Sequence, residues 1–328
     1  MTRPDGGDPA VGARVVVRYR LPDGSAAPLT DVIGHLEALG DTVTVRHESG
    51  EKVNVPRERV VAMKALSPRP IRNSEIRGLE SVAADAWPGT DQHWLDGWLL
   101  RAGGGVTRRA NSAVPLRPDA STGSLPEIES WYRGRGLTPQ LVVPDRLLRV
   151  PPGWTESAEA LVLTSPLSAP VLASRTRVAR RGRVRPDSMG AAHSVTESAG
   201  PDETWLALHP RYGSPGAAAE LIAVRDGTTA YLRVGDVAAA RVAVTEAPTG
   251  RRWVSITALS TDTEHRRRGH ATALCTEAMR WGSEHGATHA YVQVEDDNLG
   301  ARQLYDGLGF TEHHRYRYAT RPYGSTSS

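Results

Sequence analysis

WVSITALSTDTEHRRRGHATALCTEAMRW, residues 253–281, is the stretch that decides the fold. Trp253 to Leu259 is rich in apolar and β-branched residues and reads as a buried strand. Ala271, Leu274, Cys275, Ala278 and Trp281 then recur at helical spacing, and Gly286 is placed to end the helix. Between them lies a short basic loop, Arg266-Arg267-Arg268-Gly269-His270-Ala271. A strand, a glycine-containing loop and a helix in that order gather unpaired backbone N–H groups and the positive end of a helix dipole at one point. That arrangement suits a pyrophosphate. Gly269 would let the backbone come close to the phosphates, and Ala271 is too small to obstruct them.

The downstream sequence continues the pattern. Thr288 to Val294 reads as a second strand, Glu295-Asp296-Asp297-Asn298 follows, and a helix carries Ala301, Leu304 and Tyr305 before Gly309-Phe310. Period-2 alternation puts Tyr291, Gln293 and Glu295 on one face of that strand and Val292 and Val294 on the other. Arg266, Gly269 and Ala271, followed by Asn298, Ala301, Leu304-Tyr305 and Gly309-Phe310, resemble the two motifs of the GNAT superfamily of N-acetyltransferases over about 60 residues.

The resemblance implies an α/β fold with a C-terminal mixed sheet, splayed between the 253–261 and 288–294 strands, and acetyl-CoA in the opening. It implies that backbone groups of Leu259, Ser260 and Thr261 pair with the pantetheine, and that Arg266, Arg267, Arg268, Gly269, His270, Ala271 and Thr272 hold the pyrophosphate. Tyr305 falls on the position of the general acid that protonates the CoA sulfur. Asn298 would touch the cosubstrate, and it is also a good N-cap for the helix behind it. The strand before the loop carries no acidic residue, so Glu295 is the candidate general base, on strand alternation alone. No metal is required.

The remaining chain divides by composition. Residues 11–66 hold five short β-branched runs separated by Pro22-Asp23-Gly24, Gly40-Asp41 and Ser49-Gly50, which predicts a small SH3-like β-barrel. After Ser67-Pro68-Arg69-Pro70, residues 71–175 alternate helices and strands without a phosphate loop, like a degenerate GNAT half. Gly103-Gly104-Gly105 reads there as a tight turn. A connector with six arginines spans Arg175 to Arg185. The catalytic domain is expected over 186–320, with helix Thr204 to Leu208 and strands at Glu220 to Val224, Tyr231 to Val234, Ala239 to Thr245 and Tyr316 to Tyr318. The whole resembles actinobacterial two-part acetyltransferases, sometimes called histone-acetyltransferase-like.

Composition bounds the function. The 328 residues carry a net charge of +3, too small an excess for a nucleic-acid binder of this length. Almost every cation is arginine, which reads as codon bias. There is one cysteine, Cys275, so neither a disulfide framework nor a multi-cysteine zinc site can form. No signal peptide or membrane span is legible, and a cytoplasmic protein is expected. The expected partner is an amine acceptor of unknown identity; a homodimer is compatible with the sequence. A competing reading is an interaction protein that senses acetyl-CoA and binds a partner or nucleic acid through the barrel and the arginine-rich connector.

Overall fold

A computed structural model describes residues 8–47, 51–66, 70–157, 159–167, 194–213, 222 and 227–321. The arginine-rich connector and the strand expected at Glu220 to Val224, Ile222 apart, lie outside the described residues. The chain divides into two compact units, with the boundary between Pro70 and Ile71.

In the N-terminal unit the alternation of apolar residues produces one antiparallel sheet. Its strands are β1 (Arg14–Arg20), β2 (Leu29–Leu39), β3 (Thr42–His47), β4 (Lys52–Pro56) and β5 (Val60–Ala65), in the order β4-β3-β2-β1-β5. Val15, Val17, Val43 and Val45 point to one face and are buried with Val32, Leu36 and Val55. A closed barrel was expected. Among the described residues the edge strands β4 and β5 do not pair, and the sheet stays open.

The second unit begins with α1 (Asn73–Ala86), a sheet of β6 (Asp91–Leu95), β7 (Trp98–Ala102) and β8 (Val114–Pro115), then α2 (Leu125–Arg133). The chain continues through β9 (Gln140–Pro144), β10 (Thr155–Glu156), β11 (Ala160–Pro166), β12 (Val195–Ser198) and α3 (Glu203–Ala207). It ends with β13 (Thr228–Val234), β14 (Ala238–Glu246), β15 (Arg252–Thr261), α4 (His270–Glu284), β16 (His289–Glu295), α5 (Leu299–Gly307) and β17 (Thr311–Thr320). The main sheet runs β10-β17-β11-β16-β15-β14-β13-β12, with β9 also on β17.

This order crosses the boundary expected between residues 175 and 186. β11 comes from the front segment yet lies between β16 and β17, antiparallel to both. Residues 186–320 alone would lack the strand that joins those two. Side chains tie the segments further. The fully buried Arg241 on β14 donates to the Ala86 carbonyl at the end of α1 (2.9 Å) and to Ile222 (2.7 Å). His314 on β17 meets Glu80 on α1 at 2.7 Å, both buried. No helix among the described residues is long and apolar enough to cross a membrane.

α4 forms where the spacing predicts. It buries Leu274, Cys275, Ala278, Met279 and Trp281 against the sheet, and Gly286 (φ +80°) follows its C-terminus. Gly282 lets the helix lie directly on β15, because a Cβ there would stand 2.5 Å from Val254. A chain beginning at Ile71 retains the whole second unit, so it is expected to fold and to bind acetyl-CoA, the cosubstrate that the sequence resemblance implies, as tightly as the full chain by calorimetric titration. A folded truncation that has lost binding would contradict this.

Two half-buried imidazoles make this unit sensitive to acid. Burial, aided by Arg251, holds His289 down to about 4, and burial together with the neighbouring His314 does the same for His313. Both lie below the ordinary histidine value of about 6.5. An unfolded chain therefore takes up protons that the folded one refuses, and stability falls as pH drops from about 6.5 towards 4. The thermal midpoint should fall across that window and the fall should shrink in His289→Gln and His313→Gln; identical slopes would exclude these groups.

Candidate active site

The site begins where two strands part. β15 and β16 run parallel but pair only through Trp253 to Ser255 against His289 to Tyr291. Beyond Ser255 the edge of β15 that faces β16 has no sheet partner among the described residues, and the gap opens into a cleft of about 460 Å³. Ile256, Thr257, Ala258 and Leu259 line one wall, and Gln293, Val294 and Glu295 the other.

β15 is bent at that opening. Ala239 faces Ser260 and Arg241 faces Thr257, so Ala258 and Leu259 together oppose Ala240 in a β-bulge. Ala258 takes φ +48°, unfavourable for any residue with a Cβ. His209, stacked on Trp205 and buried, holds the bulge: its Nε2 lies 2.6 Å from the Ala258 carbonyl and its Nδ1 2.9 Å from that of Trp205. Burial pushes this imidazole below its ordinary pKa, towards the neutral form. Both contacts are to carbonyl oxygens, so they favour the protonated ring, which donates from both nitrogens, and oppose the effect of burial.

The basic loop follows. Ser260 and Thr261 pair with Ala239 and Ala238 of β14, so their hydrogen-bonding edge towards β16 is the open one. Arg266 closes a short 3-10 turn, Arg267 takes φ +62°, and Gly269 takes φ +90° directly before α4. Arg268 donates to the Glu264 carbonyl at 2.9 Å. Ala273 N–H makes the first helical bond, to the Gly269 carbonyl, which leaves the amides of His270, Ala271 and Thr272 ahead of the helical ladder.

Helix α5 brings the remaining residues. Asn298 caps it, its side chain accepting from Ala301 N–H at 3.1 Å, and also lines the cleft. Tyr305, 5% exposed, reaches the same cleft from the last turn of α5 and packs on Phe310. Burial raises its phenol far above the usual range, so it stays protonated. β16 alternates as predicted: Tyr291 packs with Tyr316 and Tyr318, while Val292 and Val294 join the core beneath α4 and α5. Glu295 lines the cleft but is half exposed and is held by Arg108 at 2.7 Å.

Thus Leu259, Glu295, Asn298 and Tyr305 line the cleft, whereas residues 266–272, the basic loop and the first residues of α4, are not part of its lining. Sequence reasoning missed the other end. Trp87, Thr107, Arg108, Arg109, Arg211, Tyr212, Tyr316 and Tyr318 also line it. Gly103-Gly104-Gly105 is the expected turn, with Asn111 accepting from Gly103 and Gly105 N–H. Its consequence is to deliver Arg108 and Arg109 to β16. The signal was present in Thr107-Arg108-Arg109, but arginine abundance masked it. Among the described residues no group of His, Cys, Asp or Glu could hold a metal ion.

Comparison with known proteins agrees with this architecture. Residues 73–319 match the family described as "Probable histone acetyltransferase Rv0428c C-terminal", and residues 9–64 match "Rv0428c N-terminal Sm-like domain". The open five-stranded sheet is thus Sm-like, where an SH3-like unit was expected. The chain is 42% identical over 311 residues to the Mycobacterium tuberculosis probable histone acetyltransferase Rv0428c, covering 94% of this chain and 95% of that one. It is 26% identical over 275 residues to the uncharacterized N-acetyltransferase YobR of Bacillus subtilis, covering 73% and 97%. A solved GCN5-related N-acetyltransferase from Kribbella flavida shares the fold, with a TM-score of 0.51 at 16% identity over 76% of this chain and 96% of that one. The strand order, the parted strands and these matches lead to one conclusion: the chain belongs to the Rv0428c-like family of GNAT acetyltransferases.

Proposed function

We propose that this protein is a cytoplasmic N-acetyltransferase that moves an acetyl group from acetyl-CoA directly to a primary amine. The observation that carries the reading is the parting of β15 from β16 beyond Ser255, which leaves a strand edge open to a cleft containing a buried phenol. The free edge of Leu259, Ser260 and Thr261 is suited to the pantetheine amides, as an added strand would be. The amides of Arg267 to Thr272 are suited to the pyrophosphate, since they stand at a helix N-terminus beside a residue at φ +90°.

Acetyl-CoA supplies an acyl group activated as a thioester; the chain's residues do the rest. The cleft holds the amine against the thioester carbon, the new N–C bond forms as the C–S bond breaks, and Tyr305 gives its proton to the departing sulfur. The proton lost by the amine passes to Glu295 or through water, and finally restores the phenol. Direct transfer is favoured because the single cysteine is no alternative nucleophile: Cys275 is fully buried and its thiol is pushed up to about 12. The test is release of CoA thiol by the full chain, dependent on both acetyl-CoA and an amine.

A further inference from the structure

We propose that the acceptor end of the cleft binds an amine that itself carries a carboxylate, a small amino-acid-like molecule, in preference to a lysine on a basic protein tail. The proposal rests on the acetyltransferase reading and specifies its second substrate.

Three guanidinium groups, Arg108, Arg109 and Arg211, line the cleft, and among the described residues Glu295 is the only carboxylate that does so. Arg108 already occupies Glu295, at 2.7 Å. Arg109 is half-buried, and the partners of its guanidinium are neutral: its Nε donates to Gln293 Oε1 at 2.7 Å and a terminal nitrogen to the Gln293 carbonyl at 3.4 Å. Arg211 lies over the Tyr212 ring, 5.4 Å from its centre, and among the described residues forms no ion pair. Among the described residues, two cations therefore line the cleft without an anion of the chain's own. The half-buried Arg109 guanidinium is partly drawn out of water without a counter-charge, which is costly, and a ligand carboxylate that meets its fork relieves that cost; the exposed Arg211 offers a second fork to the same cleft.

These cations are not needed for the phosphates of the cosubstrate. Residues 266–272, which carry three further arginines and the helix N-terminus, lie outside this cleft's lining. The rest of the acceptor end is aromatic. Trp87 and Tyr212 stack at 6.1 Å, and Tyr316 and Tyr318 meet edge to face at 5.4 Å. A volume of about 460 Å³ has room for the acyl end of the cosubstrate and a small acceptor with an apolar side chain. A lysine flanked by further cations would meet like charge on entry, with a single carboxylate, already paired, to receive it.

The experiment has a binding arm and a turnover arm, both with the full chain. Binding is measured calorimetrically for N-acetyl-phenylalanine, N-acetyl-leucine and N-acetyl-serine, each against its own carboxamide. The acid is expected to bind at least about 10-fold more tightly than the amide in at least one pair, and Arg211→Gln and Arg109→Gln should each erase that preference. Arg211 is exposed, so its variant remains informative if the Arg109 variant fails to fold. Equal affinity in all three pairs, or a preference unchanged in Arg211→Gln, overturns the proposal. In the turnover arm the free amino acids are expected to exceed their amides and a lysine-rich peptide in kcat/KM. A preferred peptide overturns it as well. A carboxylate preference in binding with no acetyl transfer to any amine would instead retain the anion site and count against the acetyltransferase reading.

Discussion

Tyr305→Phe is expected to lower kcat by about 10²–10⁴-fold, the usual span for a lost general acid or base, while leaving acetyl-CoA affinity almost unchanged. The substitution removes one oxygen and keeps the ring that packs on Phe310, so the helix and its core contacts should survive. The phenol suits the role because burial keeps it protonated at any working pH. Glu295→Gln should behave differently. Glu295 is exposed and shares its charge with Arg108, so its loss should alter the acidic limb of the pH profile, where the amine still carries a proton, more than the maximal rate. Stopped-flow or steady-state rates under conditions where chemistry limits turnover decide both. Wild-type kcat in a folded Tyr305→Phe protein would remove the proposed acid, and an unaltered profile in Glu295→Gln would leave water as the route for the amine proton.

Gly269→Trp is expected to weaken acetyl-CoA binding by about 10- to 100-fold, or about 1.4–2.7 kcal/mol. Two effects act in the same direction. Gly269 takes φ +90° immediately before α4, a conformation that a residue with a Cβ adopts only at a cost of about 1–3 kcal/mol. A bulky side chain there also stands between the backbone amides and the phosphates they are proposed to meet. The position is exposed, so the fold should tolerate the change. Calorimetric titration gives the affinity, and circular dichroism establishes that α4 is intact. Unchanged affinity in the folded variant would move the pyrophosphate elsewhere.

How much of this could be read from sequence depends on the range of the interactions involved. The 253–281 strand, loop and helix were legible because their signals are local: a buried β run, a glycine at positive φ and an apolar stripe at helical spacing. Alternation along β16 was legible for the same reason, since Gln293 and Glu295 must share a face whatever packs on it. The place of β11 was not. Ala160-Leu-Val-Leu is buried on both faces, so it reads alike in a sheet of its own or between β16 and β17, and only pairing over a long separation distinguishes the two. His209 was missed because a lone histidine carries no pattern, and its meaning depends on the bulge at Ala258 far along the chain. Arg108 and Arg109 were hidden by composition, and only their position beside Gln293 and Glu295 separates them from other arginines.

The central claim, that this cleft carries acetyl from acetyl-CoA to an amine, is tested most directly by following free CoA thiol released by the full-length protein as an amine library is added. The account predicts thiol release that requires both acetyl-CoA and an amine, with acetylated amine formed in equal amount. Tight binding of acetyl-CoA with no amine-dependent release from any member of the library would contradict it, and would leave a sensor of acetyl-CoA in place of an enzyme.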